Sequence, residues 1–175
     1  MTAPEITCFH IAVVVTDVEK AIANYRRYLG DGPWQVRDGL IGRLAYGSAG
    51  GQTWELIQPS ETGGTQFHQF RDQYGEGVQH IGFWTPNIRE SVEKSLADGA
   101  RLVSASTDAQ GNTAVQLLPR ADVKPEQLDA LSLGAFLDLG FGGWRLEYIG
   151  KTAGEKFLKD WLAEEYDRII LTPAP

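Results

Sequence analysis

The apolar positions of this chain change period as they run, and the changes repeat. From Phe9 to Val15 the chain is almost continuously apolar, with His10 near its start, and Thr16-Asp17 ends it. A short apolar run of this kind predicts a buried strand. After Asp17 the apolar residues Val18, Ala21, Ile22, Tyr25 and Leu29 fall at helical spacing, and Gly30 stops them. Asp17 is then the helix N-cap and Gly30 the stop signal. The same grammar returns further on. His80-Ile-Gly-Phe-Trp-Thr-Pro-Asn87 predicts a second strand with Asn87 as a cap, Ile88, Val92 and Leu96 mark a helix face, and Gly99 closes it. Each histidine stands 7 residues before its capping residue. Such self-similarity marks an internal repeat.

After each predicted helix the pattern shortens to strands. In the first half these are expected near 35–37, 42–46 and 53–58, with Gly47-Ser-Ala-Gly-Gly51 as a glycine-rich hairpin connection. In the second half they are expected near 101–104, at 114–118 or 135–139, and at 144–149. Each half therefore reads β-α-β-β-β. The last strand of each half carries one glutamate, Glu55 in Trp54-Glu-Leu-Ile57 and Glu147 in Leu146-Glu-Tyr-Ile149. The histidines are 70 residues apart and the glutamates 92, so the second half holds about 22 extra residues. They are assigned to an insertion at about 112–133, partly helical around 126–131 and placed to form a lid beside a site. Beyond Gly150, Phe157, Leu158, Trp161, Leu162 and Tyr166 make the apolar stripe of an amphipathic helix. Packing against the sheet is the first expectation for that stripe, and a dimer contact the second. The expected organisation is one domain over 1–150, with module one at 6–60 and module two at 77–150, and a helical extension at 151–175.

Composition narrows the function. A chain of 175 residues with 42% apolar and 22% charged residues can bury a core without staples. Its net charge of −7 disfavours binding to nucleic acid. The single cysteine, Cys8, excludes an internal disulfide and suits a reducing, cytoplasmic setting. No apolar run approaches a membrane span, and the first residues do not read as a signal peptide. The expected partner is a small-molecule substrate, with no nucleic acid and no membrane.

Candidate chemistry rests on the repeat. His10 and His80 begin equivalent strands, and Glu55 and Glu147 close equivalent halves. A pseudo-twofold axis would bring all four together. Imidazole nitrogens and carboxylate oxygens suit Fe, Mn, Co, Ni or Zn as a divalent ion, and four protein ligands leave room for a substrate oxygen. Any one of these residues alone would more often be structural; the matched set carries the reading. Strand alternation places Glu55 with Thr53 and Ile57 on one face, where an unpaired carboxylate would be costly. Arg43 and Tyr46 lie on the preceding strand and are candidates for substrate binding, with an outer-face salt bridge as the alternative for Arg43. His68 is expected on a solvent-facing helix position, and Trp34 in the core. Cys8 lacks a neighbouring base, and no phosphate-binding or dinucleotide fingerprint is present.

The strings FHIAVVVTDVEKAIANYRRYLGDGPW, TWELIQP, GVQHIGFWTPNIRESVEKSLADGA and GGWRLEYIG resemble the vicinal oxygen chelate superfamily, the glyoxalase, bleomycin-resistance and extradiol dioxygenase group. The resemblance is to its methylmalonyl-CoA epimerase-like, or glyoxalase-like, branch, and covers about 8–118 and 134–150. It implies an α+β fold in which paired βαβββ modules form a cupped mixed sheet around a central site. It also implies that His10, Glu55, His80 and Glu147 occupy the metal-ligand positions and that the protein is a homodimer. Glu147 matches the position that serves as both ligand and base, and Asp38 is the nearest candidate for a second acid/base. The implied function is a metal-dependent isomerase or lyase acting on a small carbonyl or thioester substrate. The alternatives are an extradiol-type ring-cleaving dioxygenase and a non-catalytic, resistance-type binding protein.

Overall fold

The computed structural model describes residues 6–107 and 113–170; residue 112 of the expected insertion and 171–175 of the expected extension lie outside them. Strands form at Thr7–Val14 (β1), Trp34–Gly39 (β2), Gly42–Ala49 (β3), Gln52–Pro59 (β4), Gly77–Thr85 (β5), Arg101–Thr107 (β6), Thr113–Leu118 (β7), Gly134–Asp138 (β8) and Arg145–Gly150 (β9). Helices form at Val18–Leu29 (α1), Gln66–Tyr74 (α2), Ile88–Ala97 (α3), Pro125–Asp129 (α4), Lys151–Leu162 (α5) and Tyr166–Ile169 (α6). The fold is α+β, and its strands make one mixed sheet of order β2-β3-β4-β1-β5-β9-β8-β6-β7. The capping reading holds in both modules. The Asp17 side chain accepts from the Lys20 N–H at 2.9 Å, and Asn87 from the Glu90 N–H at 3.2 Å.

The repeat is visible in the register. β1 pairs with β4 in parallel, Ala12 opposite Glu55, and β5 pairs with β9 in parallel, Gly82 opposite Glu147. β1 and β5 join the modules antiparallel, with Ile11 opposite Ile81, His10 opposite Gly82 and Ala12 opposite His80. The pseudo-twofold axis thus passes through the Ile11–Ile81 pair. Both alternatives for the third strand of module two are strands. β8 lies beside β9, as β3 lies beside β4, and β7 is added as an outer edge.

One face of the sheet is covered by helices that follow β1 and β5. α1 packs Val18 and Ile22 on Val15, Ala45 and Leu56. α3 packs Ile88, Val92 and Leu96 on Leu102, Leu137 and Tyr148. The insertion joins this second cluster, burying Val123 and Leu128 there. Through these residues it thickens the outer layer, where they find α3. The opposite face is the concave one. α2 covers one end through Phe67, packed with Ala12, Val14 and Ile57. The C-terminal helices cover the other end: Leu158, Leu162, Ile169 and Ile170 pack on Phe9, Tyr46 and Ile149. The Thr53 hydroxyl donates to the Ile169 carbonyl at 3.0 Å, which ties α6 to β4. Of the apolar stripe read from the sequence, Leu158 and Leu162 are buried, Trp161 and Tyr166 are half-buried against the same cluster, and Phe157 is exposed.

Gly47 belongs to β3 rather than to the hairpin connection. The Trp34 ring lies across it, so that a Cβ there would stand 2.2 Å from ring carbons. The turn itself is Gly50-Gly51, at φ of 61° and 74°, the paired left-handed geometry that closes a two-residue hairpin. Gly47→Ala is expected to cost about 1–3 kcal/mol through overpacking against Trp34, read as a lower urea midpoint with unchanged slope.

Candidate metal centre

Two β-bulges build the centre. In β1 the pairing with β5 skips Phe9, between Cys8 opposite Phe83 and His10 opposite Gly82. In β5 it skips Gln79, between Val78 opposite Val13 and His80 opposite Ala12. A bulge breaks strict alternation and re-aims the neighbouring side chain. Phe9 and His10 are consequently both buried, as are Gln79 and His80. Each histidine is directed from its own strand toward the axis. Gly82 makes this possible on one side, because a Cβ there would lie 2.3 Å from the His10 ring.

The four side chains converge. His10 Nε2 is 3.0 Å from His80 Nε2. Glu55 Oε2 is 3.2 Å from each histidine Nε2. Glu147 Oε2 is 3.5 Å from His10 Nε2 and 3.3 Å from His80 Nε2. Donors bound to one ion at about 2.0–2.2 Å, with right or tetrahedral angles between them, lie roughly 2.8–3.6 Å apart. Every one of these donor separations falls in that range. His10, Glu55 and His80 form a group whose ligand atoms lie within 4.8 Å of one another, able to hold a metal ion, and Glu147 adjoins it. The donor set, two imidazoles and two carboxylates, fits a borderline divalent ion.

Electrostatics point the same way. Burial would raise the Glu55 pKa, but hydrogen bonds and charge from His10 and His80 outweigh it and hold the carboxyl well below its usual range. Burial would lower the His80 pKa, but Glu147 and Glu55 push it up to about 9. The buried Glu55 and the half-buried Glu147 thus favour a positive charge between them, and a proton on His80 supplies it in the absence of an ion. The surroundings are unequal. His80 Nδ1 donates to Gln79 Oε1 at 2.6 Å, which fixes the ring. His10 Nδ1 is buried without a partner among the described residues, because its bulge residue is Phe9.

Glu147 spans two environments. Its Oε2 faces the histidines, while Oε1 lies 3.5 Å from the place of a Cβ on Gly134. Both residues line a cavity of about 260 Å³ walled by Phe9, Tyr46, Phe136 and Ile149, and by Gly154 and Leu158 of α5. No described residue hydrogen-bonds Oε1. Tyr46 closes this cavity near both carboxylates. Burial, Glu55 and Glu147 raise its phenol pKa well above the ordinary value, so it keeps its proton.

Two residues singled out from the sequence are not brought to this place. Asp38 and Arg43 are cross-strand partners joined by an ion pair of 3.0 Å. Arg43 also binds Glu19 of α1, which puts it on the outer face, and the Asp38 side chain is 77% exposed. The reason is alternation: Arg43 shares a face with Ala45, and Tyr46 takes the other. His68 departs from expectation in the opposite direction. It is buried, with Nδ1 2.7 Å from the Thr65 hydroxyl and Nε2 3.2 Å from that of Ser60, and it anchors the start of α2. Partial burial raises the Cys8 thiol pKa, which argues against a nucleophile. Gln79 carried no chemical motif of its own; its adjacency to His80 acquires meaning only from the bulge.

Comparison with known proteins agrees with this architecture. A family model described as the Glyoxalase/Bleomycin resistance protein/Dioxygenase superfamily matches residues 9–115. No curated protein matches the chain. Among solved structures, a hypothetical protein of Bacillus halodurans C-125 is 20% identical with a TM-score of 0.57, over 83% of this chain and 94% of that one. Methylmalonyl-CoA epimerase from Mycobacterium tuberculosis is 18% identical with a TM-score of 0.56, over 86% and 91%. A Streptomyces coelicolor methylmalonyl-CoA epimerase variant in complex with 2-nitronate-propionyl-CoA is 18% identical with a TM-score of 0.54, over 83% and 95%. At these identities the likeness is one of fold. No helix among the described residues is long and apolar enough to cross a membrane.

The pKa shifts set a pH dependence for chelator-treated protein. The His80 pKa rises from its ordinary 6.5 to about 9 on folding, so its contribution is full below 6.5 and is lost as pH climbs through about 9. The melting temperature should therefore fall between pH 7 and pH 10, and His80→Asn should flatten that fall. Equal slopes in both proteins would refute the assignment.

Proposed function

The chain belongs to the Glyoxalase/Bleomycin resistance protein/Dioxygenase superfamily, and from that premise we propose that it is a metal-dependent isomerase or lyase that moves a proton beside a substrate carbonyl. His10, Glu55, His80 and Glu147 would hold the ion. A bound divalent ion would supply Lewis acidity at a substrate oxygen, lowering the barrier to removing the neighbouring C–H proton. The single observation behind the reading is the position of Glu147, with one oxygen toward the histidines and the other toward the apolar cavity.

In this reading Glu147 Oε1 takes the proton from the carbon next to the carbonyl and returns it to the adjacent carbon; return to the same face of the same carbon gives solvent exchange without inversion. Tyr46, still protonated, donates a hydrogen bond to a substrate oxygen. Phe9, Phe136 and Ile149 supply an apolar wall for the substrate beside the carboxylate. Asp38 has no part, being committed to Arg43 on the far face. The epimerases among the structural neighbours make a 2-substituted acyl thioester the first substrate to test, with small 2-oxo and 2-hydroxy carbonyl compounds beside it.

A second reading has one observation in its favour. His10, His80 and Glu55 by themselves make a two-histidine, one-carboxylate set, the arrangement of non-haem Fe(II) oxygenases. Oxygen uptake with catechols would favour it over proton transfer.

Protein purified without chelator is expected to carry close to one divalent ion per chain, or to gain one on adding Mn²⁺, Co²⁺, Ni²⁺ or Zn²⁺. Solvent deuterium should enter the carbon beside the carbonyl, and Glu147→Gln should slow that exchange by about 10²-fold or more. No ion under any loading condition, or no exchange across the panel, would sink the proposal. Gln79→Leu is expected to weaken metal affinity about 10–100-fold, because the His80 ring loses its orienting acceptor; competition with a chromogenic chelator measures it.

A further inference from the structure

The second half of the concave face holds another cavity, of about 460 Å³, between α2 and the loop that precedes β9. Its wall carries three charged residues: Arg101, Asp138 and Arg145. They are consecutive cross-strand neighbours, Arg101 opposite Asp138 and Asp138 opposite Arg145. The carboxylate is already committed. Asp138 Oδ1 accepts from Arg101 Nη2 at 3.1 Å and from the Gly140 N–H at 2.7 Å. Arg145 forms no ion pair within 4.0 Å among the described residues. It donates from Nη1 to the neutral Gln66 Oε1 and makes no other hydrogen bond among the described residues.

Arg145 is thus a half-buried guanidinium whose remaining donors have no acceptor among the described residues, in a chain whose carboxylates outnumber its lysines and arginines 23 to 16. Asp138 is the counter-charge opposite Arg145 but is shared with Arg101; a partly buried cation so weakly compensated is costly, and a bound anion offsets that cost. The free edge of a guanidinium matches two oxygens of a carboxylate or phosphate side by side. The indole of Trp144 and the amide of Gln73, both on the wall, add neutral donors.

We propose that this cavity is an oxyanion-binding site, with Arg145 as the residue that grips a carboxylate or phosphate group of a small molecule. The site stands apart from the cavity beside Glu147 and shares none of its lining residues. It is separated from the histidine cluster by Gln79, which lines this cavity and donates from Nε2 to Gln66 at 3.4 Å. The inference does not rest on the metal reading, and either can fail without the other.

The test uses the full chain, treated with chelator so that no ion competes for the anion. Inorganic phosphate and malonate are titrated separately at constant ionic strength, with chloride as the reference, by calorimetry and by thermal shift. Saturable binding of at least one of them is expected. Tighter phosphate binding would assign a phosphorylated ligand, and tighter malonate binding a carboxylate one. Arg145→Gln should weaken binding at least tenfold. Arg145→Lys, which keeps the charge but loses the fork, should weaken it less and covers the case in which the glutamine variant does not fold. Arg27→Gln, on the exposed surface of α1, should bind as the unaltered chain does. Absence of saturable binding to the unaltered chain would overturn the proposal, as would equal binding by folded Arg145 variants.

Discussion

The pairing of β1 with β5 is the constraint on which the rest of the molecule depends. These strands are the only described ones that join the two modules, and their register puts Ile11 opposite Ile81 on the pseudo-twofold axis. Sliding one strand by a single residue would turn every side chain to the other face. The histidine of that strand would then leave the concave side, and Glu55 and Glu147 would face each other with one imidazole between them. The parallel pairs repeat the logic. Each glutamate lies opposite the residue two positions beyond its module's histidine. One backbone register, applied twice, sets the whole four-residue geometry.

The two halves are not equal, and the differences fall where chemistry needs them. Phe9 and Gln79 occupy matching bulges, yet one supplies an aromatic wall and the other a hydrogen-bond acceptor. Gly82 and Ala12 occupy matching places opposite the histidines, and the ring of His10 requires the absence of a side chain at the first. On the concave face the ends are closed by unrelated elements, α2 at one and the C-terminal helices at the other. The apolar cavity beside Glu147 exists because α5 forms part of its wall.

Much of this was legible in the sequence because it is periodic. The strand-helix alternation, the caps at Asp17 and Asn87, and the four histidines and glutamates all follow from patterns that repeat with a fixed offset. Face assignments were harder. Arg43 and Tyr46 are three residues apart, so strand alternation puts them on opposite faces, but only the pairing with Glu19 and Glu55 decides which one faces the centre. Bulges add one residue without any distinguishing residue type, so the side-by-side burial of Gln79 and His80 had no sequence signal. His68 sits on a short helix whose polar residues suggest solvent, and its burial comes from a loop that folds over it, with Gly63 against the ring. The insertion was located by its length, while its packing on α3 depended on Val123 and Leu128 finding a partner that is distant in sequence.

The register of β1 and β5 also orders events in time. Contacts between residues 70 positions apart form late, because the loop between them must close first. Before that closure each module presents one imidazole and one carboxylate, too few donors to enclose an ion. The four-residue cluster therefore comes into being when the two modules dock, and its assembly reports that the sheet has been completed.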